Sequence, residues 1–477
     1  MTPRLSATLI VVLLGAVGMT GCLREADATS AAASMSLSPC SVPGIDQPTE
    51  CGTLAVPENR ERPGRTIGLK LVVVRATEAN ARAAVFFMTG GPGTAATASA
   101  RALTREHATL AATHDFVFMD QRGTGGSHPL PCPRPAAGLE PVFSAQAAAL
   151  CRKALEPSAD LLAYTTAHAV NDVDDVRQTL GYDRINLHGS SYGTRLAWAY
   201  AARFPARART LVLHGPAPPG FGIPLPFARG LETALDGLLT DCRADAACAE
   251  RFPRLRADVD AAFERLQAGP VRVQLDETGH SLFTRGELAE AVRYMLYSAM
   301  DARRLPLMLT QAAGGDYTPI ALASATYRRG LQRILNMGLY LSVTCAEDIP
   351  FLDEAAVTAT SRGTRLGDYR ARQQIEACSA WPRGDAPAPE ATTLAVPALI
   401  QIGAYDPATP LEAAKRAAAL LPNGRLVVVP HGAHAFAGLD VEDCLARITT
   451  AFISAGSAAT VDDSCVAHAR RPPFVLK

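Results

Sequence analysis

The chain has 477 residues, 48% hydrophobic and only 6% aromatic, and its 46 basic side chains balance 46 acidic ones. That length exceeds one ordinary domain and suits a main domain with a large insertion. Zero formal charge excludes the basic excess by which proteins gather nucleic acid, and no repeat period of a solenoid occurs.

The first element is residues 1–21, where Arg4 precedes an apolar run from Leu5 to Met19 and small residues lead to Cys22. A membrane span takes ~20 apolar residues, so this shorter run fits an export signal, the other reading being an anchor that stays attached. Met19-Thr20-Gly21-Cys22 resembles the bacterial lipoprotein cleavage box, with methionine where leucine is commoner. The resemblance implies cleavage before Cys22 and a lipid on its sulfur. Residues 22–50, which include "READATSAAASMSLS", read as a flexible tether too poor in apolar groups to pack. Ten cysteines follow: Cys40, Cys51, Cys132, Cys151, Cys242, Cys248, Cys345, Cys378, Cys444 and Cys465. An even number in an exported chain favours disulfides, with sequence neighbours as the pairing, and buried free thiols as the alternative. Neither CxxC nor HExxH spacing occurs, so no metal and no cofactor are expected.

From Cys51 onward, strand-like runs each end in turn chemistry: "TIGLKLVVVRA", "AAVFFMTGGPG", "DFVFMDQRGTGGS", "RINLHGSSYG", "TLVLHGPAPP", "ALIQIGAYDP" and "RLVVVPHGAH". The central runs are almost continuously apolar and alternate with helical patterns, which predicts an α/β fold with a mostly parallel sheet and helices on both faces. Residues 217–390 lack strong strand runs and carry helical patterns, including a Thr284 to Glu287 capping box. They read as an inserted helical cap between core segments 51–216 and 391–477, placed over the strand ends. The acids Asp172, Asp174 and Asp175 read as a solvated first helical turn, or less simply as a metal cluster.

The chemistry gathers where strands end. "HGSSYGTRLA" places Ser191 between Gly189 and Gly193, as a sharp strand-to-helix bend requires, although a glycine-rich turn with an incidental serine reads the same locally. A serine hydroxyl needs a base held by an acid, which in elbow enzymes follow in the order acid, then histidine. Asp406 in "GAYDPATP" fits the acid, ahead of Asp385 and Asp440; the bland alternative is an Asx-turn residue. His434 fits the base because it stands further into its loop than His431 and can turn back over the sheet. The backbone N–H groups of Gly91, in "TGGPG", and of Tyr192 are the candidate oxyanion donors. Asp120 and Arg122 read as organisers of the "DQRGTGGS" loop.

Together "GGPG", "DQRGTGGS", "GSSYGTRLA", "YDPATP" and "HGAH" resemble the α/β-hydrolase family of proline iminopeptidases and secreted tripeptidyl aminopeptidases, from about Cys51 to Cys465. The resemblance implies a Ser191, Asp406, His434 triad, an oxyanion hole formed by the backbone of Gly91 and Tyr192, and release of residues or short peptides from a free N-terminus. The sequence departs from the family at Thr89, His214 and Ala433, where histidine, an "LDG" triplet and glycine are usual. An aminopeptidase must hold an ammonium group, and Glu347 and Asp348 in "VTCAEDIPF" are the candidates, with solvated or helix-capping acids as the other reading. The implied partner is a peptide substrate, with no nucleic acid and membrane contact only through the N-terminal lipid. Carboxylic-ester hydrolysis by the same residues is the first rival; a non-catalytic peptide-binding lipoprotein is the second.

Overall fold

The computed structural model describes residues 35, 37–62, 64–78, 84–133, 143–275, 279–384, 388 and 390–477. The export-signal segment and Cys22 lie outside the described residues. In chain order the strands are β1 (Ser38–Pro39), β2 (Thr49–Pro57), β3 (Thr66–Val74), β4 (Ala84–Met88), β5 (Asp115–Met119), β6 (Ile185–Ser190), β7 (Ala208–His214), β8 (Val271–Gln274), β9 (His280–Phe283), β10 (Ala398–Gly403) and β11 (Gly424–Val429). Nine of them form one sheet in the order β1-β2-β3-β5-β4-β6-β7-β10-β11. Pairing is parallel from β5 through β11 and antiparallel at the β1-β2-β3-β5 edge.

The central strands are buried at almost every position, β4 ("AVFFM") and β10 ("ALIQIG") without exception, because both faces are covered. Helices Thr166–Thr179, Tyr192–Arg203 and Leu411–Ala419 supply Val173, Leu196 and Ala414 to one face. Helix Glu442–Ala455 supplies Ile448 and Phe452 to the other. Between β7 and β10 the chain runs through a series of helices and the antiparallel β8–β9 pair. These helices have an apolar core of their own, with Leu235, Phe263, Leu288 and Leu309 fully or almost fully buried.

Two boundaries differ from the sequence reading. Strand β2 was not recognised, because "TECGTLAVP" is half exposed at the sheet edge and shows only a weak apolar run. The expected tether, residues 22–50, ends earlier: Ser38 pairs with Cys51, Pro39 with Glu50, and Met35 and Leu37 pack against the sheet core. Two of the three helix acids are also not solvated, and the third, Asp175, is partly exposed beside Arg60. Asp172 is fully buried against Arg122 and Arg60, and Asp174 against Arg177 and the Tyr200 hydroxyl.

Five disulfides join Cys40–Cys51, Cys132–Cys151, Cys242–Cys248, Cys345–Cys378 and Cys444–Cys465, the neighbour pairing anticipated from sequence. The Cys345–Cys378 bridge spans 33 residues and ties two helices beside the site. Replacing both cysteines by alanine is expected to lower unfolding free energy by roughly 3–4 kcal/mol through loop entropy in the unfolded chain. Denaturant titration of the oxidised protein against the double variant measures it.

Candidate active site

β6 ends at Ser190 and the next helix begins at Tyr192, so Ser191 alone must turn the chain. It does so at φ 54° and ψ −125°, a left-handed conformation that a side-chain-bearing residue rarely adopts. The turn is held by a hydrogen bond from the Ser191 N–H to the His214 carbonyl at 2.8 Å. Crowding explains the flanking glycines: a Cβ on Gly189 would stand 2.6 Å from the Gly193 carbonyl oxygen. Gly90 is equally constrained, since its Cβ would lie 2.8 Å from that of Ser191.

Asp406 follows β10 and is almost fully buried. Its Oδ1 accepts the N–H groups of Ala408 and Thr409, each at 2.8 Å, and Oδ2 accepts the Thr409 hydroxyl at 2.7 Å. Oδ2 also meets His434 Nδ1 at 2.8 Å. Burial pushes this carboxyl up, but the His434 imidazole and the hydrogen bonds from His434 and Thr409 outweigh it and hold Asp406 below the usual carboxylate range. An ionised carboxylate only accepts, so Nδ1 carries the proton and Nε2 is left as a base.

His434 is positioned from several sides. Its backbone carbonyl accepts His214 Nε2 at 2.9 Å, and its ring meets Tyr297 edge-on at 5.1 Å. Tyr297 in turn accepts a hydrogen bond from Arg293, whose guanidinium is paired with Glu290 through two contacts of 3.0 and 2.8 Å. Ser191 and His434 line one cleft of about 330 Å³, together with Gly90, Gly91, Phe227 and a group of tyrosines, Tyr294, Tyr297, Tyr327 and Tyr340. No Ser191–His434 hydrogen bond is present among the described residues, an arrangement common before substrate binds. Gly91 lines the cleft at φ 109°, and the Tyr192 N–H belongs to the first helical turn, where amides have no intrahelical acceptor.

The structure separates the sequence candidates. His434, not His431, reaches Asp406; His431 Nδ1 instead meets Asp241 Oδ2 at 2.9 Å, where Arg471 also binds at 3.0 Å and Tyr405 donates to the other oxygen at 3.2 Å. Asp120 accepts from Thr97 and Gly126, and buried Arg122 holds Asp172 and three carbonyls, so both organise loops. Glu347 and Asp348 are a correction. Asp348 is buried in a two-point pair with Arg195 at 3.0 and 2.8 Å, and Glu347 accepts the Thr166 N–H and hydroxyl. Neither carboxylate lines the cleft; both hold the fold behind Tyr192. What sequence reasoning missed is the lining itself. Its described residues include Arg293, Arg328 and Arg370 and no carboxylate, a set drawn from three helices without a local motif.

His431 makes one stability contribution measurable by pH. Its hydrogen bond to Asp241, aided by that carboxylate's charge, raises its pKa against burial and nearby Arg471. The folded state therefore holds this proton more tightly than the unfolded chain does. The contribution is complete below about pH 6.5 and disappears as pH climbs through the raised value. His431→Gln is expected to remove that slope from the melting temperature above about pH 6.5, read by a series of thermal scans.

Residues 83–257 match the family model described as alpha/beta hydrolase fold, and residues 364–465 the model described as TAP-like protein. Serine protease Hip1 of Mycobacterium tuberculosis is 26% identical over 458 residues, covering 85% of each chain. The tripeptidyl aminopeptidase of Streptomyces lividans is 30% identical over 190 residues, 35% of each chain. The proline iminopeptidase of Neisseria gonorrhoeae is 30% identical over 131 residues, 28% of this chain and 32% of its own.

Proposed function

The chain belongs to the α/β-hydrolases with a TAP-like C-terminal region, and from that premise we propose that it is an exported serine peptidase releasing amino acids or di- and tripeptides from peptide N-termini. The observation that carries the reading is the Asp406–His434 pair facing the cleft in which Ser191 stands on its left-handed bend. In the proposed reaction His434 Nε2 takes the Ser191 proton as Oγ attacks the scissile carbonyl. Asp406 stabilises the imidazolium, and the N–H groups of Gly91 and Tyr192 receive the oxyanion. His434 then returns the proton to the leaving amine, leaving an acyl-enzyme. Water deprotonated by the same imidazole attacks the ester, and the expelled Ser191 oxygen recovers its proton.

Residues 217–390 act in this reading as a cap that limits access to Ser191. Support comes from the contact of Tyr297 with His434 and from the Ala435 N–H bonded to the Tyr297 carbonyl at 2.8 Å. Five disulfides support export, and the box at Cys22 supports a lipid anchor. A second reading, hydrolysis of carboxylic esters, is favoured by one observation: no described carboxylate lines the cleft to hold an ammonium. A panel of prolyl, aminoacyl and tripeptidyl reporter amides, each with a free and an acetylated N-terminus, tests the proposal. Cleavage of the free-amine members is expected; turnover confined to ester reporters would establish the second reading.

A further inference from the structure

Resting on that peptidase reading, we propose that Arg370 makes the cleft a receptor for a carboxylate carried by the substrate. Three guanidiniums face the cleft, and their situations differ. Arg293 is matched by both oxygens of Glu290, and Arg328 lies 3.6 Å from Glu287. Arg370 is only 3% exposed and has no carboxylate at ion-pair distance among the described residues. Its Nη2 donates to the Tyr340 hydroxyl at 3.1 Å and to Gln374 Oε1 at 2.9 Å, both neutral groups. Its Cζ lies 3.5 Å from the Phe143 ring centroid, and its Nη1 has no hydrogen-bond partner among the described residues.

A guanidinium buried this far without an anion is costly, and an unmade hydrogen bond adds to the cost. Glu290 lies close enough to feel its charge, but Arg293 occupies both of that carboxylate's oxygens. Glu290 is matched with Arg293 and Glu287 with Arg328, which leaves Arg370 as the cleft arginine with no carboxylate partner among the described residues. A carboxylate entering the cleft that Ser191 and Arg370 both line supplies the missing anion, and a small side-chain shift that uncovers the shielded Nη1 lets the guanidinium offer it two parallel donors. That carboxylate is either an Asp or Glu side chain near the scissile bond or the C-terminus of a short peptide.

Paired reporters test this on the intact enzyme: Glu against Gln and Asp against Asn beside the leaving group, and short peptides with free against amidated C-termini. Charge-assisted pairing predicts roughly a tenfold to hundredfold preference for the charged member of one pair type, carried mainly by KM. The pair type that responds identifies the carboxylate's source. R370Q is expected to abolish the preference and R370K to retain part of it. The inference is overturned if wild-type enzyme treats charged and amide members alike, or if folded R370Q keeps the preference. Should R370Q fail to fold, the wild-type pairs decide alone. The same pairs built as esters separate this inference from the peptidase reading, since amide cleavage can fail while the charge preference persists.

Discussion

Replacing Ser191 by alanine is expected to reduce kcat by roughly 10⁴–10⁶-fold and to abolish covalent labelling by a fluorophosphonate, while the protein stays folded. The loss is large because the hydroxyl is the atom that forms the bond; oxyanion donors and binding contacts alone leave only residual catalysis. The fold survives because no hydrogen bond among the described residues depends on Oγ. The bend is held by the Ser191 N–H on the His214 carbonyl and by the Thr194 N–H and hydroxyl on the Ser191 carbonyl, all backbone groups of residue 191. Glycine at this position separates the two properties further. A residue at φ 54° costs on the order of 1–3 kcal/mol, and glycine avoids most of it. Ser191→Gly is therefore expected to melt at or above the wild-type temperature with no labelling. Activity persisting in Ser191→Ala would refute the assignment of Asp406 and His434 to a serine nucleophile.

The largest stability effect is expected two residues on. A Cβ added to Gly193 would stand 2.0 Å from the Met88 carbonyl oxygen and 2.5 Å from its carbonyl carbon. Both atoms are backbone, at the end of a central strand with neighbours on both sides. No side-chain rotation relieves such an overlap, so either β4 or the helix Tyr192–Arg203 must shift. Gly193→Ala is expected to cost more than about 4 kcal/mol, at the extreme of single substitutions, and to leave little folded protein. Gly330→Ala is the control: the position lies within a helix, and nothing lies within 4 Å of its added Cβ. It is expected to be neutral or to stabilise by up to ~1 kcal/mol, because alanine gives up less backbone freedom there. Denaturant midpoints of the two variants give the comparison, and a Gly193→Ala protein of wild-type stability would contradict the packing described at the bend.

Much of the fold was legible because its signals are local. Continuous apolar runs marked β4, β5, β6, β7 and β10, and each ended in a glycine, proline or aspartate turn. β2 escaped because an edge strand exposes half its residues and needs no strong apolar run. Asp406 and His434 could be read because each follows its strand within a few residues, so strand order alone brings them to one end of the sheet. Glu347 and Asp348 were misread as ligand acids for the opposite reason. Their partner, Arg195, is more than 150 residues away and gives no hint in the acids' own neighbourhood.

Sequence alone therefore determined the order of the core strands and the placing of Ser191, Asp406 and the two following histidines at strand ends. Each depends on residues a short span apart or on the succession of strands. The cysteine pairing and the choice of His434 over His431 came only with the folded structure. Tertiary structure alone decided which charges are spent on the fold and which face the cleft. Asp172 and Asp348 are taken up by distant arginines, whereas Arg370 is left among neutral partners. A charged side chain looks the same in sequence whether its counter-ion is present or missing, because burial and pairing are set by contacts between helices that the chain brings together only on folding.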